Sequence, residues 1–272
     1  MIREFSPDLM LHMAARTDLD GKTVDDYRAN TEGVSNIINA LVGLRSLRRA
    51  IFASSMLVCR LGYRPHGDSD YNPTTAYGES KVEGERLVRG VRDGSLPWTI
   101  VRPTSLWGPW FDIPYRDFFD AVRAGWYMHP RGVSVQRSYG FVLNSVIQLE
   151  RLSETSEDDV LGRTFYLADY NPIELRAWAE LIRSAFGAPQ IREVPLWFLG
   201  AAAKIGDILR AVGLRQVPLT TFRLRNLTTE AIMDLAPLEA ACGRTPYDVE
   251  QGVKITTEWM QHLVGRNLRQ HP

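Results

Sequence analysis

Lysine is scarce in this chain: Lys22, Lys81, Lys204 and Lys254 are all it has, against 32 basic residues in total. Charge of one sign is not in excess either. Acidic and basic side chains balance at a formal net charge of zero, and the basic ones are scattered, so no electrostatic footprint for nucleic acid is present. Arg45, Arg48 and Arg49 do cluster, and they read as the solvated end of a helix. Cysteine is nearly missing. Cys59 and Cys242 lie too far apart for a metal-ligand spacing or a disulfide framework, which fits a reducing cytoplasm. No apolar run is long enough to span a bilayer, since the most apolar stretch, Leu196 to Leu214, is interrupted by Lys204, Asp207 and Arg210. That stretch reads as a buried helix or a lid over an apolar site. Met1 to Met13 has no signal-peptide shape. The 272 residues also contain no Gly-x-x-Gly-x-x-Gly run, so the turn that seats a dinucleotide pyrophosphate is not found among them.

What is there is alternation of strand and helix. Asp8 to Ala15 is a short apolar run that reads as a buried parallel strand, ending in small residues that let a ligand approach the backbone. His12 within it reads as a satisfied core histidine. Val34, Ile37, Ile38, Leu41, Val42 and Leu44 recur at helical spacing, which predicts one crossover helix over Val24 to Leu47. Ala50 to Ser55 is a second strand ending in hydroxyls. Arg60 to Thr75, rich in Gly, Pro, Asp and Asn, is an exposed loop. Helix follows from Tyr77 to about Val91, then a third strand over Trp98 to Arg102. This order is that of βαβ units and a parallel sheet, with Ser55 and Ser105 at one edge. Beyond Gly108 the texture turns aromatic and irregular, and the remainder is mostly helical.

One stretch carries chemistry. In Tyr77-Gly78-Glu79-Ser80-Lys81, tyrosine and lysine four residues apart leave the same helix face one turn apart. An ammonium beside a phenol favours phenolate, so the pair predicts a tyrosine with a lowered pKa that moves a proton near neutral pH. A bare Tyr-x-x-x-Lys match is commonly an exposed pair, and the surrounding landmarks decide the matter here.

Those landmarks are His12-Met13-Ala14-Ala15, Asn30-Thr31-Glu32-Gly33, Ser54-Ser55, Tyr77-Gly78-Glu79-Ser80-Lys81, Arg102-Pro103-Thr104 and Gly108-Pro109. In that order, over nearly the whole chain, they resemble the NAD-dependent epimerase/dehydratase family of extended short-chain dehydrogenases/reductases. The resemblance implies an α/β fold: a Rossmann-like doubly wound parallel sheet, incomplete at its amino terminus, with a smaller and mostly helical carboxyl-terminal substrate domain. The expected boundaries are 1–107 for the cofactor domain, with 133–159 returning to it, and 108–132 with 160–272 for the substrate domain. It further implies Ser55, Tyr77 and Lys81 as the catalytic set, and Ala14, Ala15, Tyr77, Lys81 and Pro103 against NAD, with NADP an open alternative. Ser55, Ser105 and Arg137 would meet substrate, Arg137 being suited to a phosphate. Asn30 would support the site, and no metal is implied. A homodimer is expected through Val24 to Leu47 and Thr75 to Val91, with Val82, Leu87 and Val88 as its apolar stripe.

In one respect the chain departs from the family pattern. Met1 falls just before what would be the fourth strand, so about 50 to 60 residues of the cofactor half are expected to be missing, and weak NAD binding with them. Three functions compete on these residues. The first is oxidoreduction or 4-epimerisation of a nucleotide sugar in the cytoplasm. The second is dehydrogenation of a sterol or isoprenoid-derived alcohol, motivated by Leu196 to Leu214. The third is a non-catalytic binding or scaffold protein. Met56-Leu57 directly after Ser55 disfavours a 4,6-dehydratase, because members of that subclass carry an Asp-Glu pair there.

Overall fold

The computed structural model describes residues 2–91, 94–111, 115–214, 217 and 219–270, with the side chains of the last helix considered through 263. In chain order the elements are α1 (Ile2–Phe5), β1 (Leu9–His12), a 3-10 segment (Val24–Asn30), α2 (Glu32–Leu41), β2 (Arg49–Ala53), a 3-10 turn (Met56–Val58), α3 (Ala76–Gly90), β3 (Trp98–Pro103) and β4 (Ser105–Trp107). Then follow α4 (Tyr115–Arg123), β5 (Met128–Pro130), β6 (Gln136–Arg137), β7 (Tyr139–Phe141), α5 (Val142–Glu154), α6 (Glu157–Val160), β8 (Thr164–Leu167), β9 (Ile173–Glu174) and α7 (Leu175–Phe186). The chain closes with β10 (Arg192–Val194), α8 (Leu196–Ala211), α9 (Thr221–Thr228), α10 (Ala236–Cys242) and α11 (Val249–Gln270).

Contacts divide these elements into two compact units: residues 1–105, 144–170 and 233–245, and residues 106–143, 171–232 and 246–272. The return segment thus runs from 144 to 170, later than the 133–159 read from the sequence. The reason is that β8 hydrogen-bonds to β3 and completes the first unit's sheet.

That sheet is parallel, in the order β1-β2-β3-β8. Its inner strands read as continuous apolar runs because both faces are covered. On β2, Ala50 and Phe52 pack with Val34, Ile38 and Leu41 of α2 and Val88 of α3. Ile51 points the other way, toward Leu152 of α5, Phe165 and Leu167 of β8, and Leu238 of α10. Helices on both faces of a parallel sheet make this the doubly wound α/β arrangement.

Three expectations change. The single helix predicted over Val24 to Leu47 is broken at Thr31. Tyr27 leaves helical geometry (φ −113°, ψ 38°), its hydroxyl donating to Asp18 O and accepting from Gly21 N. Arg49 is no solvated helix end: it opens β2, is buried, and donates to the carbonyls of Leu152 and Thr155. The stripe expected to serve a dimer contact packs inward, Val82 against Val58 and Val88 against the α2 side of the sheet.

The second unit is held by aromatic packing. Trp107, Phe119, Phe141 and Trp178 are all essentially inaccessible, with ring centroids 5.1 to 5.9 Å apart. Gly252 of α11 is required there, since a Cβ would stand 2.7 Å from the Trp107 ring.

Candidate active site

The first turn of α3 is set by its cap and its glycines. Thr75 accepts from Gly78 N at 3.0 Å, starting the helix one residue before Tyr77. A Cβ on Gly78 would collide with the carbonyl oxygen of Leu57, and one on Gly84 would stand 2.8 Å from that of Asn30. Glycine at both places therefore lets α3 lie against the Ser55–Leu57 turn and the 3-10 segment at once. Neither role was read from the sequence.

Ser55 follows β2 and caps the 3-10 turn, accepting from Leu57 N at 3.1 Å. Its hydroxyl lies near enough to the Tyr77 phenol to favour the phenolate. Lys81 lies one turn further along α3, its ammonium 5.9 Å from the Tyr77 ring centre and donating to Ala53 O at 2.9 Å. Asn30 is buried and clamps two segments together. It accepts from Arg16 N at 2.9 Å and donates to Arg16 O and to Ser80 Oγ, both at 3.0 Å, while Ser80 donates to Tyr77 O at 2.7 Å. The turn carrying Ala14 and Ala15 is thereby tied to the helix carrying Tyr77.

The electrostatics differ from the reading based on spacing alone. Burial holds the Tyr77 phenol above its ordinary value, with the nearby Ser55 hydroxyl pulling the other way. Burial likewise lowers Lys81 to about 8, opposed by the Glu85 carboxylate. Both groups pay for removal from water, which spacing on a helix cannot reveal. Tyr77 is buried, not surface-accessible. His12 is buried too, but not satisfied: among the described residues its Nε2 has no partner, and burial and then Lys81 lower its pKa, so the ring is neutral. His12, Asn30, Ser54, Lys81 and Glu85 line an internal cavity of about 20 Å³.

Glu85 was not singled out in the sequence, though it continues the i, i+4 series Tyr77, Lys81, Glu85. Its carboxylate accepts from Ser54 Oγ at 2.6 Å, from Arg102 Nε and NH2 at 2.8 Å each, and from the Tyr71 hydroxyl at 3.0 Å. Arg102 is inaccessible to solvent and also donates to Asp68 O, so one buried ion pair fixes α3, β3, the end of β2 and the loop before α3.

The other named residues fall as follows. Ala14 is exposed and Ala15 half-buried just past β1, and Pro103 ends β3 with Ser105 two residues beyond. Arg137 belongs to the second unit. It is buried, donates to the carbonyl of Asn226 and lies 6.0 Å over the Tyr139 ring.

The structure thus brings Ser55, the buried Tyr77 and Lys81 together at the end of β2 and the start of α3. Residues 1–126 match the model of the NAD dependent epimerase/dehydratase family. The chain is 23% identical over 282 residues to a 3beta-hydroxysteroid-dehydrogenase/decarboxylase isoform of Arabidopsis thaliana, covering 96% of this chain and 64% of that one. It is 25% identical to a 4-hydroxy-2-methyl-3-oxo-4-farnesyl-3,4-dihydroquinoline-1-oxide ketoreductase of Stigmatella aurantiaca, covering 80% and 66%. The chain thus spans about two thirds of the length of these relatives. Its fold is shared with a UDP-glucuronic acid 4-epimerase from Bacillus cereus solved with UDP-glucuronic acid and NAD, at TM-score 0.71 and 14% identity, covering 96% and 78%.

NAD, with NADP possible, is the cofactor of the family. The side chains here fit its nicotinamide end. The Lys81 ammonium carries three protons and, among the described residues, donates to one protein acceptor, Ala53 O, so it has donors left for ribose hydroxyls, and the Tyr77 side chain lies on the same helix face.

Proposed function

We propose that the chain interconverts a secondary alcohol and a ketone with NAD(P), on an apolar substrate of steroid or isoprenoid character. The observation that carries the chemistry is the buried Tyr77 with the Lys81 ammonium 5.9 Å from its ring centre and the Ser55 hydroxyl beside it. Bound nicotinamide supplies or accepts the hydride. Tyr77 handles the proton: it takes the carbinol proton during oxidation and returns one to the ketone oxygen during reduction. Because burial keeps the phenol protonated, the protein stands ready in the reductive direction. Ser55 already accepts from Leu57 N, which leaves its O–H to donate to the developing oxyanion. Lys81 orients ribose hydroxyls, and its pKa of about 8 lets it return a proton toward Tyr77 near neutral pH.

Two observations favour an apolar substrate. The relatives named above are a hydroxysteroid dehydrogenase and a reductase of a farnesylated quinoline. Arg137, the side chain expected to meet a phosphate, is buried and engaged by Asn226 O. A nucleotide-sugar substrate is the second reading, favoured by a 25% identical UDP-glucose 4-epimerase of Vibrio cholerae. Assembly as a homodimer through α2 and α3 is a separate proposal; on α3 it would use the exposed Glu79, Arg86 and Gly90, and light scattering tests it.

Thermal shift against 3β-hydroxysteroids, prenylated ketones and UDP-sugars, each with NAD(H), separates these readings, because only ligands of the folded state raise its stability. Stabilisation and turnover with the apolar set are expected. Response to UDP-sugars alone would transfer the assignment to the second reading, and response to neither would leave a binding or scaffold protein.

A further inference from the structure

Helix α8 is apolar on two sides and only one of them is covered. Leu199, Ala203 and Gly206 are buried, and Gly206 is needed there because a Cβ would collide with the carbonyl oxygen of Leu219. Trp197, Ala201, Ile205, Ile208 and Val212 recur at i, i+4, i+8, i+11 and i+15, with Phe198 and Leu209 beside them. At 3.6 residues per turn these side chains fill an arc of about 120°. Trp197 is 75% exposed, Ile205 59%, Ile208 64% and Val212 71%. Single exposed apolar residues are ordinary, but a continuous stripe of them marks a surface that something covers.

We propose that this face of α8 docks the protein onto the surface of a bilayer containing anionic lipid, lying in the interface without crossing it. Charge points to that occupant. Exposed Lys204 flanks the apolar arc and has no ion-pair partner among the described residues, whereas the neighbouring acid, Asp207, is occupied in accepting from Thr221 N at 3.1 Å, and Arg210 lies on the side of Leu199, Ala203 and Gly206, away from the arc. A helix with an apolar arc, tryptophan at one end and a free lysine flanking the arc suits the headgroup boundary. Size points away from a second copy of the chain. Sixteen residues make a helix about 24 Å long, and a third of its circumference offers on the order of 300 Å², well short of the ~800 Å² per partner of a stable dimer. Among the described residues no helix is long and apolar enough to cross a membrane. The inference is independent of the chemistry proposed above.

The test is co-sedimentation of the full chain with vesicles of phosphatidylcholine alone and of phosphatidylcholine mixed with phosphatidylglycerol. Binding is expected to the mixed vesicles, weakened about tenfold to hundredfold by Ile208→Asp. Lys204→Glu should weaken binding to mixed vesicles about tenfold and leave the phosphatidylcholine result unchanged, whereas Arg210→Glu, on the far side of the helix, should weaken it less. Melting temperature and light scattering accompany each variant. An unchanged melting temperature for Ile208→Asp supports the proposal, whereas a marked fall would mean the face is covered within its own chain and would overturn it. A parent dimer split by Ile208→Asp would assign the face to a second copy, and failure to bind either vesicle would also overturn it.

Discussion

Helices α3 and α8 are nearly the same length, 15 and 16 residues, and they bury opposite things. α3 takes Tyr77, Ser80, Lys81 and Glu85 out of water and leaves no large apolar side chain exposed. α8 leaves large apolar side chains in water and buries almost nothing polar. Burying charge costs free energy unless each group is partnered, and on α3 each is: Lys81 by Ala53 O, Glu85 by Ser54, Tyr71 and Arg102. A helix that meets this cost holds its groups in one geometry, which proton transfer needs. A helix that leaves apolar surface uncovered is built to meet something else.

The contrast can be broken by substitution. The largest effect is expected from Tyr77→Phe, which should lower turnover of any substrate about 10²- to 10⁴-fold, measured at saturating cofactor with the fold checked by circular dichroism. Next is Glu85→Ala, which strands the Arg102 charge in the interior. Chemical denaturation should show a loss of about 3 to 5 kcal/mol, and a loss below 1 would mean the pair is better solvated than its burial indicates. Gly78→Ala should cost about 1 to 3 kcal/mol, because the first turn of α3 must back away from Leu57 O, and activity should fall with it.

A smaller effect sharpens the electrostatics. Lys81 titrates near 8 in the folded protein against 10.5 unperturbed, so between those values the unfolded chain binds more protons. Stability from this group therefore rises as pH climbs through that window, and the penalty is fully present below about 8. Glu85 raises the Lys81 pKa, so Glu85→Gln should move the titration below 8, read from the pH dependence of amine labelling at Lys81. A shift upward would show that Glu85 does not face the ammonium.

The features legible in the sequence were those written in a local period. β2, β3 and α3 lie within a residue or two of their apolar runs, and the Tyr77 and Lys81 spacing needed only the helix repeat. What escaped depended on contacts distant in sequence. The break at Thr31 comes with Asn30 reaching Arg16 and Ser80, 14 and 50 residues away. Glu85 and Arg102 meet from different elements across 17 residues. The direction of the Tyr77 shift depends on burial, which no spacing encodes. Composition marked α8 as apolar, but the same composition serves a covered helix or a bare one, and only the structure tells the two apart.

The most direct test of the α3 site is a single-turnover reduction of a 3-ketosteroid, following loss of NADH absorbance with parent and Tyr77→Phe proteins in parallel. The expected result is hydride consumption by the parent and a rate at least about a hundredfold lower for the variant. Equal rates in the two proteins would contradict the assignment of Tyr77 as the proton-transfer group.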